Sequence, residues 1–241
     1  MKRAALILVV LALACGCSRK QSKSVAPPAT AFGTTIVEVS GGKQVVAAGA
    51  TLDQPIVVQV NDAQGNGVAG APVELRGASG AVFDPPAGLT DSSGQFTARA
   101  TLGGSAGHYQ LTAVTHDRSG KAYELKLDEI ALDYQQVLGR ELTQQYCNRC
   151  HDPESTPERV SNMDNLTTKP HAFNEGDVLN KSSDADLNSI ISHGGAALNK
   201  SAEMPPYGYT LTKNDIQAVI AYIRAIADPP YPSKGLVYAK N

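Results

Sequence analysis

A chain of 241 residues with 42% hydrophobic side chains is long enough for two ordinary domains, each able to bury a core without disulfides. The formal charge is −2, and removal of Lys2 and Arg3 by processing takes it to about −4, which argues against a nucleic-acid partner. With 22 Gly and 14 Pro the chain is rich in turns, while aromatic residues are only 5% and tryptophan is absent.

The amino terminus reads as a targeting segment. Lys2 and Arg3 precede an apolar run of 11 residues, Ala4 to Ala14, too short to span a bilayer as a helix and suited to a signal peptide. A hydrophobic core helix is the structural alternative. The small residues leading into Cys15 and Cys17 resemble a bacterial lipoprotein signal, in which cleavage precedes a cysteine that then carries lipid. Residues 1–17 are therefore expected to be the signal, with Cys17 the lipidated residue because a serine follows it, Cys15 as the alternative, and an ordinary secretory peptide as the non-lipid reading. Residues 18–33 lack an apolar period and are rich in Ser, Pro and Ala, so they read as a flexible tether reaching on the order of 20 Å.

From 34 to 133 short β-rich runs alternate with turn residues. Candidate strands are Thr35–Val39, Gln44–Ala47, Ile56–Val60, Val73–Arg76, Gln95–Leu102, Tyr109–Thr115 and Ala122–Leu127, the alternation being clear in Phe96-Thr97-Ala98-Arg99-Ala100. Seven strands at this spacing predict an antiparallel β-sandwich. The turn Asn61-Asp62-Ala63-Gln64-Gly65-Asn66-Gly67, then Asp91-Ser92-Ser93-Gly94-Gln95-Phe96, then Gly107-His108-Tyr109 resemble, in that order, the bacterial immunoglobulin-like domains of invasin and intimin. That resemblance implies a rigid spacer or a surface module. His108 and His116 are expected to be solvated, and Asp62 and Asp91 to cap their own turns rather than bind calcium.

From 134 to 228 the period becomes helical. Leu138, Leu142 and Tyr146 recur every four residues on a helix that delivers Cys147 at its end. A second helix is predicted from Ser183 as N-cap, with Leu187, Ile190 and Ile191 inward, to Gly194-Gly195. A third opens on the capping pattern Thr212-Lys213-Asn214-Asp215, carries Ile216, Val219, Ile220, Ile223 and Ile226, and ends at Asp228-Pro229-Pro230.

Cys147-Asn148-Arg149-Cys150-His151 is the pattern of a c-type haem attachment site: each thiol can add to a haem vinyl group, and the adjacent imidazole can then reach the iron. Zinc is an alternative, needing His171 and His193 as further ligands; a thioredoxin-like dithiol is another, needing a βαβ context that this stretch lacks. Met204 lies in a loop before Pro205-Pro206, 53 residues after His151, and is the candidate sixth ligand. Met163 reads as a loop residue, and His171 and His193 are the bis-histidine alternatives.

With Gly139 eight positions before Cys147, the Ile190-Ile191-Ser192-His193-Gly194-Gly195 and Met204-Pro205-Pro206-Tyr207 runs, and Ala221-Tyr222-Ile223, this half resembles class I monohaem cytochromes c. The resemblance implies an all-α fold, first and last helices crossing at Gly139 and Tyr222, one covalent haem with His151 and Met204 on the iron, electron transfer rather than catalysis, and attachment of the haem outside the bacterial cytoplasm. Asp152-Pro153 departs from the glycine common after the haem histidine. Residues 137–228 hold 8 basic and 12 acidic side chains, so this half would attract a redox partner with a basic patch. The whole is expected to be an exported, lipid-anchored electron carrier with a tail at 229–241. A haem subunit of a larger oxidoreductase and a surface-binding module are the competing readings; no acid–base pair for catalysis is visible.

Overall fold

Alternating apolar and polar side chains give residues 34–132 nine strands in the computed structural model, which describes residues 31–77, 80–157 and 159–232. The leader with Cys15 and Cys17, the tether up to residue 30 and the tail from residue 233 lie outside the described residues. The strands are β1 (Thr35–Ser40), β2 (Val45–Ala47), β3 (Ile56–Asn61), β4 (Pro72–Gly77), β5 (Val82–Asp84), β6 (Ala87–Leu89), β7 (Gln95–Thr101), β8 (Gly107–His116) and β9 (Ala122–Leu132). Two sheets, ordered β1-β3-β7-β5 and β2-β9-β8-β4-β6, form a sandwich. Its single core joins Val58 and Val60 of β3 and Phe96 and Ala98 of β7 to Leu111 of β8 and Leu127 of β9.

Three features depart from the sequence expectation. The sandwich is not wholly antiparallel, because β2 runs parallel to β9, with Val46 opposite Ala131. The stretch Asp84–Gly88, read as a turn because of its two prolines and glycine, contributes to two further strands, β5 and β6, each three residues long. β9 continues five residues beyond Leu127, and Gly33 of the expected tether is already buried, since a Cβ there would lie 2.2 Å from Val60 Cγ1. The Asp turns behave as expected: Asp91 Oδ1 accepts from the amides of Ser93 and Gln95, and Asp62 Oδ1 from those of Gln64 and Asn66.

One core position of β9 is a carboxylate. Glu129 is fully buried, accepts the Gln44 amide at 2.6 Å through Oε2, and leaves Oε1 without a partner.

β9 passes into the helical half through one residue. Asp133 caps α1 (Tyr134–Tyr146): its carboxylate accepts from the Gln136 amide at 2.8 Å, and the Gln136 side chain accepts from the Asp133 amide at 2.9 Å. Arg140 Nη1 then donates to Val45 O at 2.7 Å, tying α1 to β2. Four further helices follow: α2 (Asn148–His151), α3 (Gly176–Leu179), α4 (Asp184–His193) and α5 (Lys213–Ile226). Ser183 and Thr212 cap α4 and α5 with reciprocal boxes, as their sequences predict. None of the described helices is long and apolar enough to cross a membrane.

α1 and α5 cross where α1 has almost no side chain. A Cβ on Gly139 would lie 2.0 Å from Ala218 O and 2.8 Å from Tyr222 Cβ, so only glycine admits this approach. The expected Leu138–Leu142–Tyr146 face is accordingly shifted: the fully buried positions of α1 are Gly139 and Thr143, with Leu142 and Tyr146 half-buried at the edge of the helical core. Arg224 of α5 is 8% exposed and satisfies its guanidinium on Asp184 Oδ1, Leu179 O and Ser182 O, which fixes the α3–α4 linker to α5.

Burial, reinforced by the nearby carboxylates Glu38 and Asp128, pushes the Glu129 carboxyl from its ordinary 4.5 up to about 7 against the opposing effect of the Gln44 amide. The folded chain therefore binds a proton that the unfolded chain releases between about pH 4.5 and 7, and stability is expected to fall as pH rises through that window. Glu129→Gln keeps an acceptor for the Gln44 amide and should flatten this slope in denaturant unfolding measured at successive pH values.

Candidate functional site

The site begins where α1 ends. The Cys147 amide donates to Thr143 O at 2.9 Å, closing α1, and Cys147 then starts α2, with the amides of Cys150 and His151 both donating to Cys147 O at 3.0 Å. Positions i, i+3 and i+4 of one helical turn share a face, so the two thiols and the imidazole are presented together. Both cysteines are free thiols. Burial, with Cys150 as neighbour, pushes the Cys147 thiol up to about 12, so it stays protonated at neutral pH. Such a thiol does not suit a thioredoxin-like dithiol, whose attacking sulfur needs a depressed pKa.

His151 is oriented by two contacts. Its Nδ1 lies 2.8 Å from His171 O, and because a carbonyl only accepts, Nδ1 carries the proton and Nε2 keeps its lone pair. Its ring stacks on Phe173 with centroids 4.6 Å apart and planes 11° apart. Burial lowers the pKa of the imidazole and favours this neutral form.

Met204 packs on the same apolar cluster as the surroundings of His151. Phe173, Tyr146, Tyr207 and Met204 all pack on the cluster built from Leu187, Ile191, Val219 and Ile220. The Met204 loop is sewn to its surroundings: Gly195 N donates to Met204 O at 3.0 Å, Tyr207 N to Ile191 O at 2.9 Å, and Tyr207 Oη to Tyr146 O at 2.8 Å. Gly194 adopts φ +79°, and a Cβ on it would press on Met204 O and Pro206 N, each at 2.9 Å. Burial raises the Tyr207 phenol, and Cys147 and Cys150 add to the rise, which puts this loop beside the attachment motif.

The other candidate histidines each engage one ring nitrogen, as His151 does. His171 Nδ1 donates to Glu175 Oε2 at 2.7 Å, and His193 Nδ1 donates to Ser189 O on its own helix at 3.0 Å. Among the described residues no three His, Cys, Asp or Glu side chains converge to hold a metal ion, so the zinc reading finds no ligand set. Met163, read as a loop residue, is instead buried in the 3₁₀ turn Met163–Asn165 against α2. Asp152 gives Oδ2 to Arg159 Nη2 at 2.7 Å while Arg159 Nη1 holds Asn148 O, so the residue that departs from glycine anchors the loop after α2.

The donor set suits a haem: two thiols on one helical face, an imidazole whose second nitrogen is already engaged, a thioether and an apolar lining. A cavity of about 410 Å³ lined by Asn174, Glu175, Asp177, Val178 and Asp228 contains none of these groups. The sequence did not single out Phe173 or Tyr207 as contacts of the site, nor the His171 carbonyl; only Tyr207, three residues after Met204, stood in a run it had noted.

Residues 36–127 match the family of bacterial Ig-like domains (group 1), and residues 135–223 match the family described as cytochrome C oxidase, cbb3-type, subunit III. The first half is thus similar to bacterial Ig-like domains and the second to cytochrome c domains, a similarity that implies haem and electron transfer. Among solved structures, the D00-D0 domain of intimin aligns at 20% identity over 46% of this chain and 51% of its own, with a TM-score of 0.30. The D0-D1 domain of intimin aligns at 21% over 42% of this chain and 48% of its own, TM-score 0.30, and invasin, a bacterial integrin-binding protein, at 22% over 42% and 19%, TM-score 0.32. The chain spans about half the length of the two intimin fragments. No curated protein matches it.

Tyr207→Phe deletes the hydroxyl that reaches Tyr146 O while leaving the ring in place. It is expected to lower stability by about 0.5–1.5 kcal/mol, the net worth of such a bond, as read by denaturant unfolding followed by circular dichroism.

Proposed function

We propose that this chain is an exported, membrane-anchored c-type cytochrome that carries single electrons, with the strand half as spacer or docking module. The observation that carries this reading is the turn Cys147–His151, which presents two free thiols and an imidazole whose Nδ1 proton is already given to His171 O. Cys147 and Cys150 would hold one haem through thioether bonds, His151 Nε2 would be the proximal ligand and Met204 the sixth. Bound haem supplies a one-electron Fe(III)/Fe(II) couple, and a methionine opposite a histidine raises its potential and fills the coordination sphere. The residues of the chain position and insulate: Phe173 fixes the imidazole plane, Tyr207 pins the methionine loop to the end of α1, and the apolar cluster keeps water away. The acidic excess of residues 137–228 would steer a partner protein with a basic patch around its redox centre. Lipid on Cys17, or on Cys15, would anchor the chain to a bacterial membrane facing the periplasm or at the cell surface.

The family description of residues 135–223 names an oxidase subunit, which favours a second reading in which the chain relays electrons inside a larger oxidoreductase.

The oxidised holoprotein should show the weak methionine–Fe(III) charge-transfer band; Met204→Ala should abolish it and lower the potential, while Met163→Ala should leave it. A wild-type protein without the band, binding carbon monoxide readily when reduced, would sink the carrier reading. For the anchor, Cys17→Ala is expected to release the protein from the membrane fraction; retention by both Cys17→Ala and Cys15→Ala would exclude lipidation there.

A further inference from the structure

Glu175 is not among the residues proposed above to hold the haem, yet one of its oxygens bonds the peptide that orients His151 and the other the ring of the same His171. Oε2 meets His171 Nδ1 at 2.7 Å, and Oε1 accepts from the Ala172 amide at 3.1 Å. The Ala172 amide and the His171 carbonyl belong to one peptide unit. That unit is planar and trans, so its N–H and C=O point in opposite directions, and a group that fixes one end fixes the other. The line of contacts is therefore His151 Nδ1–H to His171 O across the peptide, and Ala172 N–H to Glu175 Oε1.

Apart from these bonds the local chain is held by one turn, in which Glu175 N donates to Ala172 O at 3.0 Å. Residues 171 and 172 lie in neither helix nor strand, so no ladder dictates where the His171 carbonyl points. Glu175, by contrast, is anchored. It forms an isolated parallel bridge with Asp228, Gly176 N donates to Asp228 O at 3.0 Å, and Asp228 N donates to Asn174 O at 2.9 Å. A Cβ on Gly176 would lie 2.2 Å from Pro229 O, so this backbone sits hard against the chain leaving α5. The His171–Glu175 contact is about half exposed on both sides, with side-chain exposures of 52% and 45%, a setting in which it adds little to stability. Its geometric effect on the peptide is the larger consequence.

We infer that Glu175 is a positioning residue for the proximal imidazole, transmitting the rigidity of the α5 end to His151 through the His171 carbonyl and thereby setting the potential of the iron. The inference rests on the haem reading given above. A firm Nδ1–H bond to a carbonyl makes the imidazole a stronger donor, and stronger donation favours Fe(III) over Fe(II). Loosening the peptide weakens that bond and raises the potential. The step involves one electron exchanged with a redox mediator, and no bond of the chain forms or breaks.

Two mild variants of the haem-loaded full-length protein separate position from charge. Glu175→Asp keeps the charge but is one methylene too short to hold both His171 and Ala172. It is expected to raise the Fe(II)/Fe(III) ratio at a fixed ambient potential about tenfold, equivalent to 59 mV for one electron, and to speed exchange of the His151 Nδ1 proton observed by NMR. Glu175→Gln loses the charge but keeps the reach and an acceptor for the Ala172 amide, and is expected to stay close to wild type in both readouts. The reverse pattern would show a through-space charge effect and overturn the inference, as would wild-type potentials in both variants. A wild-type protein that carries no covalent haem, shown by loss of its haem on acid–acetone extraction, overturns the haem reading and this inference with it; haem-bearing variants with unshifted potentials overturn this inference alone.

Discussion

The close crossing of α1 and α5 at Gly139 is the constraint from which the rest of the helical half follows. With a carbonyl oxygen 2.0 Å from where a Cβ would stand, the two helix backbones are in direct contact and the angle between them is fixed by hard atoms rather than by adaptable side chains. One end of α1 is set by the Asp133 cap and the other delivers Cys147. The attachment motif therefore emerges at a place determined by backbone packing about two turns earlier. α5 in turn carries Val219, Ile220 and Ile223 into the cluster and Arg224 onto the α3–α4 linker, so the partner of α1 also organises the helical core.

Between these helices the chain is largely irregular, and it is held by hydrogen bonds to backbone atoms more than by apolar burial. Tyr207 closes the methionine loop on α1, Arg159 closes the loop after α2 on Asn148 O, and His151 closes on His171 O. Each of these bonds joins two segments distant in sequence at a site that a ligand ion would need rigid. Many weakly stabilised loops are thereby turned into one frame, since each bond is worth only about 1 kcal/mol while the orientation it imposes is specific.

The strand and helix halves meet without a linker. β9 ends at Leu132, Asp133 caps α1, and Arg140 reaches back to Val45 O, while α5 also packs near β9. The two halves are coupled at the end of α1 away from Cys147, which leaves the attachment turn at the far end of a 13-residue helix from the sandwich. A sandwich joined this way sets an orientation for the motif as well as a distance.

Much of this was legible in the residues themselves. The spacing of Cys147, Cys150 and His151, the caps at Ser183 and Thr212, the glycines at 139 and 194–195, and seven of the nine strands are local patterns with local physical causes, and the helices and strands they announce are present. The strands β5 and β6 escaped because Pro85, Pro86 and Gly88 mark that stretch as a turn, and the parallel β2–β9 pairing because register between distant strands is a property of the folded sandwich. Glu129 in the core and the shift of the buried stripe of α1 from Leu138 to Gly139 were also decided by packing. The sequence by itself determined which residues are the candidates for the chemistry. Tertiary structure alone decided what orients them, because the acceptors that do so, His171 O, Tyr146 O and Asn148 O, are backbone carbonyls that every residue possesses and no residue type can announce.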